Sequence, residues 1–204
     1  MKRMSKFLIL MLAVMMPQMI FALTPDETLQ KARQKIAGAK SLSADFKMTL
    51  NGATYSGKIQ SKGSKFSIVS NVSSSWYDGT NMWTYNAASK ETTLFKPTAS
   101  ELSEANPLLY ISGAGNYNVT ASKTKKKGLE TVVLVPKKAG TGVKNVMIHL
   151  NSSTFLPSQI EITPSSGQKI TVTVSNIKLN PTISDSQFSY PKSSYKNVKV
   201  VDLR

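Results

Sequence analysis

The sequence predicts a mostly β fold with a few helices: a strongly curved antiparallel sheet, closed over an apolar cavity by an N-terminal helix and a short helical lid. Three observations predict it. Apolar and polar residues alternate through most of the chain after Ala44, the period-2 pattern of strands with one buried face. Turn residues recur roughly every 8–15 residues, with no helical pattern between the later strands. The stretch from Pro97 to Gly115 interrupts the strands and is too apolar for a surface loop, so it must cover something.

The chain opens with Lys2, Arg3 and Lys6, followed by the apolar run Phe7–Met16, then Pro17 and Ala22. That order reads as an export signal, residues 1–22, cleaved after Ala22. The run falls short of the roughly 20 residues a membrane-spanning helix needs. Residues 23–204 show no linker, repeat or low-complexity break and read as a single domain in the periplasm.

Thr24-Pro25-Asp26-Glu27 is a helix start, with Thr as cap, Pro in the first turn and Glu three residues after the cap. Leu29, Ala32 and Ile36 give that helix one narrow apolar face, and Gly38 ends it. Strands follow. Ala44–Leu50 and Tyr55–Ile59 flank Asn51-Gly52, a strong hairpin signal. Lys65–Ser70, Ser75–Tyr77, Met82–Tyr85 and Thr92–Phe95 continue the alternation. Thr98-Ala-Ser-Glu101 and Asn106-Pro107 each predict a short helix in the covering segment. Tyr117–Ala121, Leu129–Val135, Lys144–Leu150, Leu156–Thr163, Lys169–Leu179 and Asn197–Val201 complete a meander.

Composition narrows the chemistry. The chain has 204 residues, no Cys and one His, His149. That removes thiolate nucleophiles and Cys-ligated metals, and leaves no residues for a His-based metal site. No metal, cofactor or catalytic residue is expected. Gly52-Ala-Thr-Tyr-Ser-Gly57-Lys58 nearly matches a phosphate-binding loop, but Ile59 stands where Ser or Thr must be, and the glycines fall in a hairpin. His149 takes the strand face opposite Ile148 and Leu150 and reads as solvent-facing or locally bonded. The formal charge of +15 falls to +12 when Lys2, Arg3 and Lys6 leave with the signal. The remaining bases are nearly all Lys and sit at strand turns such as Lys123–Gly128. Nucleic-acid binding favours Arg and exposed stacking aromatics, so none is expected. Transient contact with an anionic membrane surface fits better.

Phe46, Met48, Ile59, Phe66, Ile68, Trp83, Tyr85, Leu94, Ile148, Ile160, Ile162, Val172 and Val174 all fall at alternating positions. They fit an ordinary packed core or a sheet curved around an apolar cavity. On the second reading Phe46, Met48, Ile59, Phe66, Ile68, Trp83, Tyr85, Ile148 and Ile160 line the cavity. Leu102, Leu108, Leu109 and Ile111 form the lid.

The order of motifs resembles the periplasmic outer-membrane lipoprotein carrier family, the LolA type. The residues that carry the likeness are Leu42-Ser-Ala-Asp-Phe46, Gly57-Lys-Ile59 with Lys62 and Phe66, and above all Tyr77-Asp-Gly-Thr-Asn-Met-Trp83-Thr-Tyr-Asn86. Asn106-Pro-Leu-Leu-Tyr-Ile111, Leu134-Val-Pro-Lys137, Phe155-Leu-Pro157 and Asp185-Ser-Gln-Phe188-Ser-Tyr-Pro191 continue it. The resemblance implies an unclosed β-barrel plugged by helices. It implies a monomeric carrier of acylated lipoproteins, loaded by an inner-membrane lipoprotein-releasing ABC transporter, with an outer-membrane acceptor as a further candidate partner. In that family an Arg just after the position of Lys62 often holds the lid shut. Here Gly63 stands there, so Lys62 or Lys65 is the candidate latch or partner contact, with a looser grip than a guanidinium fork. Two other readings stay open: a lipid-sensing or regulatory envelope protein on the same scaffold, and an enzyme. The enzyme needs Glu130, Glu161 or His149 to converge inside the cavity.

Overall fold

A computed structural model describes residues 22–123 and 126–204; the expected export signal lies, but for Ala22, outside the described residues. Helix α1 (Pro25–Ala37) forms where its capping residues predict. The Glu27 backbone N–H donates to Thr24 Oγ1 at 3.2 Å and the Thr24 N–H donates to Glu27 Oε2 at 2.8 Å, which satisfies two donors reciprocally. Its buried face is Thr28, Leu29 and Ala32.

Strands β1 (Leu42–Leu50) and β2 (Ala53–Lys62) meet at Asn51-Gly52. Both turn residues have positive φ, 55° and 74°, the mirror-image turn that matches strand twist. Then come β3 (Lys65–Ser70), β4 (Ser73–Tyr77), β5 (Met82–Asn86) and β6 (Glu91–Phe95). The covering segment holds α2 (Ala99–Ala105) and α3 (Leu109–Ser112). Thr98 and Glu101 build a second capping box for α2. Asn106 ends α2 as its C-cap rather than opening α3, whose N-cap is Leu108; its Oδ1 accepts from the Leu108 N–H at 3.1 Å. The chain continues through β7 (Tyr117–Ala121), β8 (Leu129–Pro136), β9 (Val143–Asn151), β10 (Pro157–Pro164), β11 (Ile170–Leu179) and β12 (Lys199–Asp202).

These twelve strands form one sheet in the order β12-β6-β5-β4-β3-β2-β1-β11-β10-β9-β8-β7. Two meanders are joined where β1 pairs with β11, placing Phe46 opposite Val174 and Met48 opposite Val172. The edges β12 and β7 do not meet, so the curved sheet stays an unclosed barrel. One expectation needs correction. The sheet is not wholly antiparallel, because β12 runs parallel to β6. A parallel neighbour requires a crossover, and residues 180–198 supply it by crossing one face of β3 and β4.

Cross-strand partners share a face and neighbours along a strand alternate. The inner face, under α1 and α3, carries Ala44, Phe46, Met48, Ile59, Ile68, Val132, Leu134, Val146, Ile148, Ile160, Val172 and Val174. The outer face of β3–β6 is covered too. The crossing segment buries Ile183, Phe188 and Tyr190 there, and Trp76 packs edge-on against Tyr190 and Tyr195, both at 5.5 Å between centroids.

Candidate lipid-binding site

The lid segment lies over the inner face with a space on each side. Between its Glu104–Pro107 stretch and the sheet is a cavity of about 170 Å³. Its apolar walls are Phe46, Met48, Ile59, Ile68 and Val172, and Ser70, Ser73, Ser75 and Glu104 are its polar groups. A second space of about 260 Å³ lies between Leu108, Leu109, the end of α1 at Ile36, and Phe66. A third, of about 510 Å³, opens between the lid and the β8–β9 turn.

The two halves of the lid are held differently. Helix α2 buries no residue, and Leu102 is half-buried. Leu108 (4% exposed), Tyr110 (2%) and Ile111 (0%) sink into the core with Leu29 and Ala32 of α1. Arg33 of α1 donates from Nε to the Ile111 carbonyl at 3.4 Å. Burial, then Tyr117 and Glu104, push the Tyr110 hydroxyl up to about 12, so it stays a proton donor at any ordinary pH.

The structure brings together some of the residues predicted for the cavity and separates others. Phe46, Met48, Ile59 and Ile68 stand around the 170 Å³ cavity, and Phe66 lines the separate 260 Å³ space. Ile148 and Ile160 share the inner face but are wholly buried in the core cluster that includes Leu29, Ala32 and Ile111. Trp83 and Tyr85 are a correction. Trp83 pairs with Trp76, and Tyr85 packs against Tyr195 at 4.6 Å, so both lie on the outer face beneath residues 180–204. Aromatic residues stand there because that face is covered by protein rather than water.

Lys62 and Lys65 are also corrected as latches. Lys62 pairs with Lys65 across the ends of β2 and β3; Lys65 also borders the 260 Å³ space, but both ammonium groups turn to the crossing segment. Lys62 Nζ donates to Asp185 Oδ1 at 2.7 Å and Lys65 Nζ to Asp185 Oδ2 at 2.9 Å. Those two hydrogen bonds hold the Asp185 carboxyl down to about 2. The pair therefore ties down the crossing segment. The side-chain contact that reaches the lid backbone from α1 is Arg33, a residue that sequence reasoning missed. Its only signal is its place one residue past Ala32, beside the buried stripe of the helix.

His149 and Glu161 do meet, but on the outer face. The His149 ring nitrogens lie 2.9 Å from Thr131 Oγ1 and 3.2 Å from Glu161 Oε1. Burial pushes the Glu161 carboxyl up, and the hydrogen bonds from Lys169 and His149 outweigh it, leaving it below its ordinary range. This is the locally bonded His that the strand alternation predicts. Glu130 remains exposed. Among the described residues no group of three or more His, Cys, Asp or Glu could hold a metal ion. No helix of the described residues is long and apolar enough to cross a membrane.

The sequence model of one family, described as "Outer membrane lipoprotein carrier protein LolA", matches residues 74–191. No curated protein matches the chain. Among solved structures, an uncharacterized conserved protein from Thermus thermophilus superposes with a TM-score of 0.58 at 10% identity, covering 87% of this chain and 98% of that one. A LolA superfamily protein from Nitrosomonas europaea gives 0.47 at 14%, covering 83% and 99%. A Pseudomonas aeruginosa MucA/MucB complex gives 0.42 at 12%, covering 81% and 60%. The first of these likenesses establishes the fold.

Proposed function

Because the chain belongs to the outer membrane lipoprotein carrier protein (LolA) family, we propose that it shields the acyl chains of lipoproteins and carries them across the periplasm from the inner to the outer membrane. On this reading residues 1–22 direct export and are removed. Residues 23–204 act as one soluble, monomeric domain. An inner-membrane lipoprotein-releasing ABC transporter loads it, and an outer-membrane acceptor or surface unloads it.

The observation that carries the reading is the apolar cavity between the inner face and the lid. An acyl chain in water costs roughly 0.8 kcal/mol per CH₂, so a 16-carbon chain costs about 12 kcal/mol. Aliphatic and aromatic walls remove that cost without directional bonds, so they can also let go. At about 170 Å³ the cavity is far too small for such a chain; an engineered cavity of about 150 Å³ takes a ligand the size of benzene. On this reading the arrangement is a closed form, and loading requires the lid to lift. Helix α2 can leave without exposing a buried side chain. The stretch from Leu108 to Ile111 must then give up its place in the core to the cargo.

Native mass spectrometry of the exported protein with a triacylated lipopeptide tests this. The wild type should carry the lipopeptide. Leu109→Glu, which puts a charge between two of the lid spaces, should fold and fail to carry it. Unchanged capture by a folded variant would overturn the assignment.

A further inference from the structure

The space of about 510 Å³ between the lid and the β8–β9 turn has a composition unlike that of the acyl cavity. Leu109, Tyr110, Tyr117 and Val143 give it apolar and aromatic walls, while Lys137 and Lys138 stand at its rim, and no carboxylate lines it. Lys137 spends one donor on the Gly115 carbonyl at 3.0 Å and keeps two. Lys138 makes no hydrogen bond or ion pair among the described residues. Glu104, on the lid, lines the acyl cavity rather than this cleft; its carboxylate accepts from Ser100, which borders the cleft, at 3.2 Å, and its charge reaches the Tyr110 hydroxyl.

Tyr110 supplies a second, independent observation. It is 2% exposed, and its hydroxyl has no hydrogen-bond partner among the described residues. No described side-chain oxygen is both sealed from solvent and unpaired. The Tyr110 hydroxyl is therefore not fully sealed, and Tyr110 is one of the residues that line the cleft. A protonated phenol and two ammonium groups around an apolar floor ask for one kind of ligand, with anionic oxygens at one end and hydrocarbon at the other.

We propose that this cleft is a head-group subsite for an anionic amphiphile. The phosphate or carboxylate head sits between Lys137, Lys138 and the Tyr110 hydroxyl, and the chain runs past Leu109 under the lid. Leu109 borders both this cleft and the 260 Å³ space beneath the lid, which makes it the side chain the tail would pass. The proposal rests on the carrier reading, which supplies the place for the tail.

Calorimetric titration of the exported protein tests it. The ligands are 1-palmitoyl-lysophosphatidylglycerol, uncharged monopalmitoylglycerol and inorganic phosphate, each kept monomeric. The wild type should bind the anionic lipid more tightly than the uncharged one. Lys137→Gln with Lys138→Ala should weaken the anionic lipid about tenfold or more and change the uncharged one less than about twofold. Tyr110→Phe, which keeps the ring and its packing, should weaken only the anionic lipid. Equal, lysine-independent binding of both lipids overturns the head-group subsite and leaves the carrier standing. Binding of inorganic phosphate as tight as that of the anionic lipid also overturns it, since the site would then serve a free ion. If neither lipid binds the wild type, the carrier reading falls with it.

Discussion

Arg33 on α1 donates its Nε hydrogen to the carbonyl of Ile111 on α3 across 3.4 Å, the one side-chain hydrogen bond between that helix and the lid among the described residues. The bond is long, so its own contribution is small, about 0.5–1 kcal/mol at most. Its position matters more than its strength. Ile111 is wholly buried, and the bond lies where the lid would separate from α1. Arg33→Ala is expected to leave the thermal midpoint within a few degrees of wild type. Amide exchange over Leu109–Ser112 should rise several-fold, and lipopeptide uptake should be faster. Unchanged exchange there would show that packing alone closes the lid.

Asp185 receives Lys62 and Lys65 on its two oxygens, and those bonds hold its pKa down to about 2. The folded value lies below the ordinary value of about 3.9, so the contribution is present above roughly pH 4 and is lost as pH falls towards 2. All three side chains are substantially exposed, which makes the effect small and salt-sensitive. Asp185→Asn should lower stability at neutral pH. The gap to wild type should close between about pH 4 and pH 2 and narrow in high salt. A gap that persists at pH 2 would mean that Asp185 acts through packing.

Ile68 and Tyr85 test which face holds lipid. Ile68 borders the cavity, and Tyr85 packs on Tyr195 behind the sheet. Ile68→Glu should fold with some loss of stability and capture no lipopeptide. Tyr85→Ala should cost about 1–3 kcal/mol in a denaturant titration and leave capture unchanged. Loss of capture in a folded Tyr85→Ala protein would return the outer face to the binding site.

The contrast also shows what was legible in the residues. Both capping boxes, the Asn51-Gly52 turn and the strand run Lys65–Ser70 follow from local chemistry and match the structure. So does the face of His149, because alternation from Ile148 and Leu150 decides it. Trp83 and Tyr85 failed because alternation assigns a face but does not say which face is wet. Residues 180–204 cover the outer face of β3–β6, and only a long-range contact reveals that. Lys62 was within reach, since three residues from inward Ile59 is the outer side. Arg33 was out of reach, because its partner is a backbone carbonyl 78 positions away.

Gly57 is the position where the cavity wall depends most directly on a missing side chain. It lies opposite Phe46 across β1 and β2. A Cβ built there would stand 2.7 Å from Phe46 Cε1 and 2.1 Å from the Val69 carbonyl oxygen. The carbonyl belongs to the β2–β3 ladder and cannot retreat without breaking pairing; the ring could turn only towards the cavity it borders. Gly57→Ala should therefore destabilise the protein by about 1–3 kcal/mol, although alanine usually suits a strand better than glycine. Surviving folded protein should take up lipopeptide more weakly, as the displaced ring fills part of a space of about 170 Å³. Gly57→Ala with Phe46→Leu should recover much of the uptake by making room for the ring, and leave the part of the stability loss that comes from Val69. A neutral Gly57→Ala, measured by its urea midpoint and its lipopeptide capture, would show that β2 can shift away from Phe46 at no cost.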